Sequence, residues 1–267
     1  MKVSLTASAL GHTRAVANRT FAIGDIHGDL DHLRLLIRKL PPLDAEDTLV
    51  FLGDYVDRGP QSMEVVRVVR NFDRELGCKV ECLRGNHEDA WLRVLEKGWP
   101  EFVLPPQNGC LATLRSYTGG PVPGDDELPS LEEWESLFNG TFLPPDILEW
   151  MKTLAVFYED QHAIYVHAGL VERAGGFAHP SETKPEAALM WTRSEEFFRD
   201  YRGKRVVVGH TKTELLPPEL SSYTPHDPTD LWAGESVTAI DTGCGKGGFL
   251  TALELPSLTI YESRTPA

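Results

Sequence analysis

In the first third of the chain a short β-prone run stops three times at a glycine followed by Asp or Asn: "TFAIGD" (20 to 25), "TLVFLGD" (48 to 54) and "KVECLRGN" (79 to 86). Apolar residues at helical spacing follow the first two runs, Leu30, Leu33, Ile37 and Leu40 in one segment and Val65, Val66, Val69, Phe72 and Leu76 in the next. Strands and helices alternating in this way predict parallel pairing with crossover helices, an α/β architecture in which sites form outside the C-terminal ends of the strands. Those ends are where the Gly-Asp/Asn pairs lie. Two later runs, "AIYVHAG" (163 to 169) and "RVVVGH" (205 to 210), each bring a histidine to a strand end.

Five strand ends thus deliver Asp25 with His27, Asp54, Asn86, His167 and His210 to one edge of a sheet. Residues two apart on a strand face the same way, so Asp25 and His27 can grip one ion. Alone, a strand-end Asp or His is ordinarily a cap or a turn former, but five such ends in one chain make a metal-site inventory. Carboxylate, imidazole and amide donors without thiolate suit Mn²⁺, Fe or Zn²⁺, and a shared carboxylate can hold two ions about 3.5 to 4 Å apart. Glycines beside the ligands permit tight turns and close backbone approach. His12, His32, His162, His179 and His226 fall on a helix, in loops or in the N-terminal tail and read as structural. Cys78, Cys82, Cys110 and Cys244 have no CxxC spacing, which argues against a zinc cage and a disulfide framework and for a reduced, cytoplasmic compartment.

From about 98 to 153 the texture changes to prolines, "TGGPVPGDDELP" and helix-like pieces, with Ser130 and Glu133 spaced as a capping box. The apolar content is too thin for a separate core, so this stretch reads as a helical insertion in a single domain spanning 20 to 262, between tails at 1 to 19 and 263 to 267. The end of the chain, "SVTAID", "FLTALEL" and "LTIYES", predicts antiparallel strands joined by the turn "TGCGKGG" and by "PS". That turn is only loosely like a phosphate loop: Lys246 has no Ser or Thr after it and no helix follows, so a hairpin turn is expected. No apolar run reaches membrane-spanning length. The net charge of -14 opposes binding to a nucleic-acid backbone, while a local cationic pocket for one phosphate remains compatible with it.

"GDIHG", "GDYVDRG" and "RGNHE", followed by "VHAG" and "VVGHT", resemble the signature of the PPP family of metal-dependent phosphatases within the calcineurin-like metallophosphoesterases, over about residues 20 to 255. "NGCLATLRSY", "MWTR" and "AIDTGCGKGGFLTALEL" are similar to its bacterial and phage branch. The resemblance implies a mixed α/β fold, a central β-sandwich flanked by helices in four αββα layers, with a dinuclear site at the strand ends. It further implies that Asp25 and His27 bind the first metal, that Asp54 bridges, and that Asn86, His167 and His210 bind the second; the ions expected are Mn²⁺, with Fe or Zn²⁺ as alternatives. Arg58 and Arg193 are then expected to hold phosphate oxygens through their planar forks, and Arg84 either to join them or to form a structural ion pair. On the same resemblance a metal-bridging hydroxide attacks phosphorus directly, His87 protonates the departing oxygen, and Asp57 orients its imidazole.

The activity so implied is hydrolysis of phosphoserine and phosphothreonine in a phosphoprotein, with phosphotyrosine as a further substrate. The nearest competing class is the symmetrical bis(5′-nucleosyl)-tetraphosphatase, which shares the metals and a DTGC-like turn. That family usually lacks an aspartate where Asp57 stands and has Asp where Glu88 stands, and both departures favour the protein phosphatase. A nuclease is opposed by the acidic surface. A non-catalytic phosphopeptide-binding module needs a damaged constellation, and none of the expected residues is missing.

Overall fold

The structure, a computed structural model, describes residues 18–223 and 227–264. The β-prone runs form β1 (Thr20–Ile23), β2 (Thr48–Phe51), β3 (Lys79–Cys82), β4 (Phe157–Glu159), β5 (Ile164–Val166), β6 (Glu172–Arg173), β7 (Gly176–Phe177), β8 (Val206–Val208), β9 (Trp232–Ala233), β10 (Val237–Ala239), β11 (Thr251–Leu255) and β12 (Thr259–Glu262). Two five-stranded sheets result, ordered β12-β11-β1-β2-β3 and β4-β5-β8-β10-β9, with β6 and β7 pairing separately. Within the first sheet β1, β2 and β3 run parallel, and in the second β5, β8 and β10 do.

Side-chain alternation along these strands builds the layers. Ala22, Val50 and Leu52 from the first sheet meet Ala163, Tyr165 and Val207 from the second in a core between the sheets. The alternate residues Phe21, Ile23, Leu49 and Phe51 face outward onto Leu33, Leu36, Val65, Val66 and Trp91. On the other side Ile164, Val166, Val206 and Val208 pack with Leu189, Phe197 and Phe198. The order helix, sheet, sheet, helix is therefore the expected sandwich.

The helices are α1 (Leu30–Lys39), α2 (Ser62–Val69), α3 (Phe72–Leu76), α4 (Asn86–Lys97), α5 (Pro100–Val103), α6 (Cys110–Thr118), α7 (Leu131–Asn139), α8 (Pro145–Thr153), α9 (Ala188–Trp191) and α10 (Glu195–Asp200). The helical pattern from Val65 to Leu76 is divided at Arg70 and Asn71, where the Asn71 side-chain amide donates to the Arg67 carbonyl at 2.7 Å. Over 98–153, α5 to α8 place Phe102, Leu114, Leu137, Ile147 and Met151 in the same cluster as Phe21 and Leu33. Ser130 and Glu133 form the capping box, the Ser130 amide donating to the Glu133 carboxylate at 2.8 Å and the Glu133 amide to the Ser130 hydroxyl at 3.3 Å.

The C-terminal connection differs from the expected hairpin. β10 joins β8 in parallel, whereas β11 runs antiparallel beside β1, so Thr242–Gly248 carries the chain from one sheet to the other. Amide bonds fix each end: Ile240 donates to Val208 at 2.9 Å, and Gly24 donates to Thr251 at 3.1 Å. β11 and β12 do form the antiparallel pair expected around Pro256 and Ser257. Residues 1–17 of the expected N-terminal tail, residues 265–267 of the C-terminal one, and His226 lie outside the described residues. Arg19, by contrast, is buried and its Nε donates to Asp47 at 2.8 Å, and Ser263 accepts the Leu250 amide at 2.7 Å. Among the described residues no helix is long and apolar enough to cross a membrane.

Because Leu137 and Met151 are fully buried in the cluster shared with the first sheet, Leu137→Ala and Met151→Ala should each cost about 2 to 5 kcal/mol. Denaturant unfolding should remain one transition with a lowered midpoint. A separate early transition for residues 98–153 would show that this stretch does not share the core.

Candidate metal centre

The segments that leave the strand ends bend sharply, and the bends coincide with the chemistry. His27, Asp54, Asp57, Arg58 and His210 all adopt left-handed backbone angles, with φ of 46°, 54°, 70°, 70° and 64°. Among the described non-glycine residues only Leu258 does so elsewhere. Such conformations cost about 1 to 3 kcal/mol each and persist where surrounding bonds over-determine them. Here the amides of Ile26 and His27 both donate to the Asp54 carbonyl, at 3.1 and 2.8 Å, and the Gly59 amide donates to the His27 carbonyl at 2.9 Å. Two glycines are required by close approach: a Cβ on Gly85 would lie 2.1 Å from Asp54 Oδ1, and one on Gly209 would lie 2.0 Å from Asp25 Oδ1.

All six expected ligands converge and are buried. Asp54 stands in the middle, its Oδ2 3.3 Å from His27 Nε2 and its Oδ1 3.5 Å from His167 Nε2. Asp25 completes one side, with Oδ2 4.0 Å from His27 Nε2. On the other side Asn86 Oδ1 lies 2.9 Å from His167 Nε2 and 2.8 Å from His210 Nδ1. Ligands about 2.1 Å from a common ion are about 3 Å apart when at right angles, so this spacing suits two ions sharing one carboxylate.

The hydrogen bonding supports the same conclusion. His167 faces an acceptor at each ring nitrogen, the Leu52 carbonyl at Nδ1 and Asn86 Oδ1 at Nε2, both at 2.9 Å. A neutral imidazole has one N–H and cannot satisfy both, while burial pushes His167 away from the charged form. A cation at Nε2 removes the conflict. Similarly, His27 engages the Val56 carbonyl through Nδ1, and its buried Nε2 has no partner, nor do Asp25 Oδ1 and His210 Nε2. Burial lowers the His27 and His210 pKa values, aided by Arg58 for the first and His167 for the second, and so keeps lone pairs available. For Asp54 burial opposes the charge, but His167, His87 and Arg58 outweigh it and hold the carboxyl below its usual range.

Beside this set, His87 Nδ1 bonds Asp57 Oδ2 at 2.6 Å and His87 Nε2 turns towards Asp54, 3.9 Å from its Oδ2. Asp57 is held by residues that the sequence reading did not single out: Trp91 Nε1 donates to Oδ1 at 3.0 Å and the Thr113 hydroxyl donates to the same oxygen at 2.6 Å. The nearby lone pairs also give His87 Nε2 the reach of a ligand, grouped with His27 and Asp54. Arg58 lines a cavity next to the site, and its buried Nε has no partner. Arg193 is exposed and donates to the Thr211 hydroxyl at 3.1 Å, adjacent to His210. Arg84 is elsewhere engaged: it donates to the carbonyls of Met151 and Lys152 at 3.1 and 2.6 Å, neither a phosphate clamp nor an ion pair.

Two buried carboxylates change the reading of the sequence. Glu88 is fully buried and accepts the amides of Asp54, Tyr55 and Gly85 at 2.9, 2.9 and 3.0 Å. Its side chain thus joins backbone to backbone, so the structural part Glu88 plays is to hold the ends of β2 and β3 together. Asp241, fully buried, leaves Oδ2 unpartnered and is, after burial itself, the largest influence raising the Asp25 pKa. Its signal in the sequence was the strand end "AID", which lacks the preceding glycine of the other motifs. Of the remaining described histidines, His32 bonds Ser263 at 2.6 Å, His162 the Asn18 carbonyl at 2.8 Å, and His179 Glu159 at 3.0 Å, all away from the site.

Residues 19–214 match the family of calcineurin-like phosphoesterases. The chain is 24% identical over 300 aligned positions to the symmetrical bis(5′-nucleosyl)-tetraphosphatase of Nitrosospira multiformis, covering 92% of this chain and 96% of that protein. A crystal structure provisionally assigned as a diadenosine tetraphosphatase superposes with a TM-score of 0.56 at 19% identity, over 93% of this chain and 94% of the other. The cold-active protein-tyrosine phosphatase of a Shewanella species superposes with a TM-score of 0.53 at 20% identity, over 92% of this chain and 80% of the other. At such identities the two superpositions bear on the fold alone.

Two substitutions test the centre without an assay of turnover. Asp54→Asn should lose affinity for divalent ions on both sides of the shared carboxylate, measured by metal analysis after equilibration with Mn²⁺ and desalting; two retained ions per chain would exclude the bridging role. Glu88→Gln sets a carboxamide N–H₂ against at least one of three amide donors and should cost about 1 to 3 kcal/mol in denaturant unfolding. An unchanged midpoint would mean that the three bonds are dispensable.

Proposed function

The chain belongs to the calcineurin-like phosphoesterase family, and on that premise we propose that it hydrolyses dinucleoside tetraphosphates symmetrically, between the two central phosphates, in a divalent-metal-dependent reaction. The observation that carries this reading is relatedness to a symmetrical tetraphosphatase along nearly the whole of both chains. Asp57 and Glu88 depart from the usual tetraphosphatase pattern; of the two, Glu88 bonds backbone amides and Asp57 bonds the His87 ring.

Asp25, His27 and Asp54 would hold one ion, and Asp54, Asn86, His167 and His210 the other; Mn²⁺ is the expected metal. Bound there, divalent ions polarise phosphoryl oxygens and lower the pKa of water. The protein contributes the rest through fixed geometry. Arg58 enters from the adjoining cavity with an unpartnered Nε, and Arg193 stands beside His210, so both are placed to bind oxygens of the phosphoryl group that reacts. His87 presents Nε2 to the same space, while Asp57 accepts its Nδ1–H and fixes the orientation of the ring. A proton on Nε2 then faces the side from which an oxygen departs.

The Asp57–His87 pair also favours a second reading, hydrolysis of phosphoserine and phosphothreonine in proteins, because a serine alkoxide needs that proton far more than a nucleoside diphosphate does. The two readings separate in one comparison with Mn²⁺ added. Diadenosine tetraphosphate should be turned over with kcat/KM at least about tenfold above that of a phosphoserine peptide; the reverse order would transfer the assignment to the second reading. His87→Asn, with metal content verified, should lose about 10² to 10⁴-fold on the phosphopeptide and much less on the tetraphosphate. Equal losses on both substrates would remove His87 as the proton donor.

A further inference from the structure

The turn Thr242–Gly248 lies on the metal centre without belonging to it. Gly245 sits so close to His27 that a Cβ there would be 2.5 Å from the His27 carbonyl oxygen. Two cavities meet at this turn, and Lys246 lines both. The smaller, about 280 Å³, is bounded by Lys212, Asp241 and Gly243 among others, and the larger, about 600 Å³, by Arg58, Gln107, Asp125 and Asp126. The Lys212 side chain runs across Gly243, where an added Cβ would meet its Nζ at 3.2 Å. From the opposite side, the Arg58 amide donates to the Gly109 carbonyl at 3.2 Å, fixing that cation at the wall of the larger cavity.

Three cations therefore surround one short turn in a protein whose net charge is -14. Lys212 has Glu214 at 3.6 Å. Lys246 donates to the Gln107 carbonyl, and among the described residues neither Lys246 nor Arg58 is in an ion pair with a carboxylate. Although Lys246 reaches solvent, desolvation by its surroundings and then the charges of Arg58 and Lys212 push its ammonium down to about 8. A bound anion relieves that crowding.

We propose that Lys246, between Arg58 and Lys212, forms a polyphosphate subsite that binds the phosphates next to the one held at the metal centre. The inference rests on the dinucleoside tetraphosphate reading and gives it a recognition element. A single phosphate would have its partners in the ions held at the metal centre, Arg58 and Arg193, so the further cations bordering the two adjoining cavities suit a chain of linked phosphates. The larger cavity lies within the roughly 300 to 1,000 Å³ range of small-molecule sites. Asp125, Asp126 and Glu127 also line it and offer acceptors to the hydroxyl and amino groups of a nucleoside.

The test uses the full chain in excess Mn²⁺ and calorimetric titration with two probes, orthophosphate and the non-hydrolysable bis(methylene) analogue of triphosphate. Lys246→Met should weaken the triphosphate analogue by roughly tenfold and orthophosphate by clearly less, and Lys246→Arg should restore most of the difference. Equal weakening of both probes, or no weakening of the analogue, would overturn the subsite. The same proteins assayed on diadenosine tetraphosphate and a phosphoserine peptide keep the two ideas apart. Selective loss of the analogue in a protein that cleaves only the peptide supports the subsite and rejects the tetraphosphate reading. Tetraphosphate cleavage with unchanged KM and analogue affinity in Lys246→Met does the opposite.

Discussion

One buried carboxylate sets the geometry on which the centre depends. Glu88, on the first turn of the helix that begins at Asn86, reaches back to the amides of Asp54, Tyr55 and Gly85. It therefore joins the end of β2 to the end of β3 at the level where Asp54 and Asn86 leave the sheet. Asp54 returns a bond, its Oδ1 accepting the His87 amide at 3.0 Å. Asp54 and Asn86 are thus positioned through short covalent paths from one side chain, with three amide donors that burial would otherwise leave unpaired.

That stitching explains why strained backbone can be concentrated here. Five left-handed residues at the site represent several kcal/mol of local cost, which only the surrounding structure can offset. β1, β2 and β8, which lead into these bends, supply it, because each has a ladder on either side and shares the apolar layer of Val50, Leu52, Tyr165 and Val207. The bends then direct His27, Asp54 and His210 away from the strand axes and towards one point. Straight continuations would have faced them into alternate layers of the sandwich.

How much of this was legible in the sequence follows from the range of each signal. The strand ends that carry the candidate ligands, the parallel strands and the capping box at Ser130 depend on residues close together in the chain, so periodicity and motif spacing reveal them. Asp241 does not, since its relation to Asp25 arises only when β10 joins β8 and β11 joins β1. The same topology made the Gly-rich turn look like a hairpin, because two antiparallel strands and two strands in facing sheets have the same local pattern. Trp91 and Thr113 read as core residues on helices, and their donation to Asp57 is a three-dimensional fact. Glu88 was visible as a motif residue, but its three amide bonds were not, because they link residues from the ends of two strands.

The acidic charge of the chain and the few cations at its cavities act over different distances. At physiological salt, exposed charges are screened beyond about 8 Å, so most of the net -14 is weakly felt by a phosphate already within the cavity. In the proposed subsite Arg58 and Lys246 would act at contact, where the surrounding protein reduces screening and, among the described residues, neither is in an ion pair with a carboxylate. The acidic exterior instead disfavours extended polyanions, whose remaining phosphates would have to lie along it, while a compact polyphosphate places all its charge inside. An acidic chain can in this way accept a highly charged small molecule and still reject a nucleic acid, with the selection made by how far the ligand's charge extends beyond the cavity.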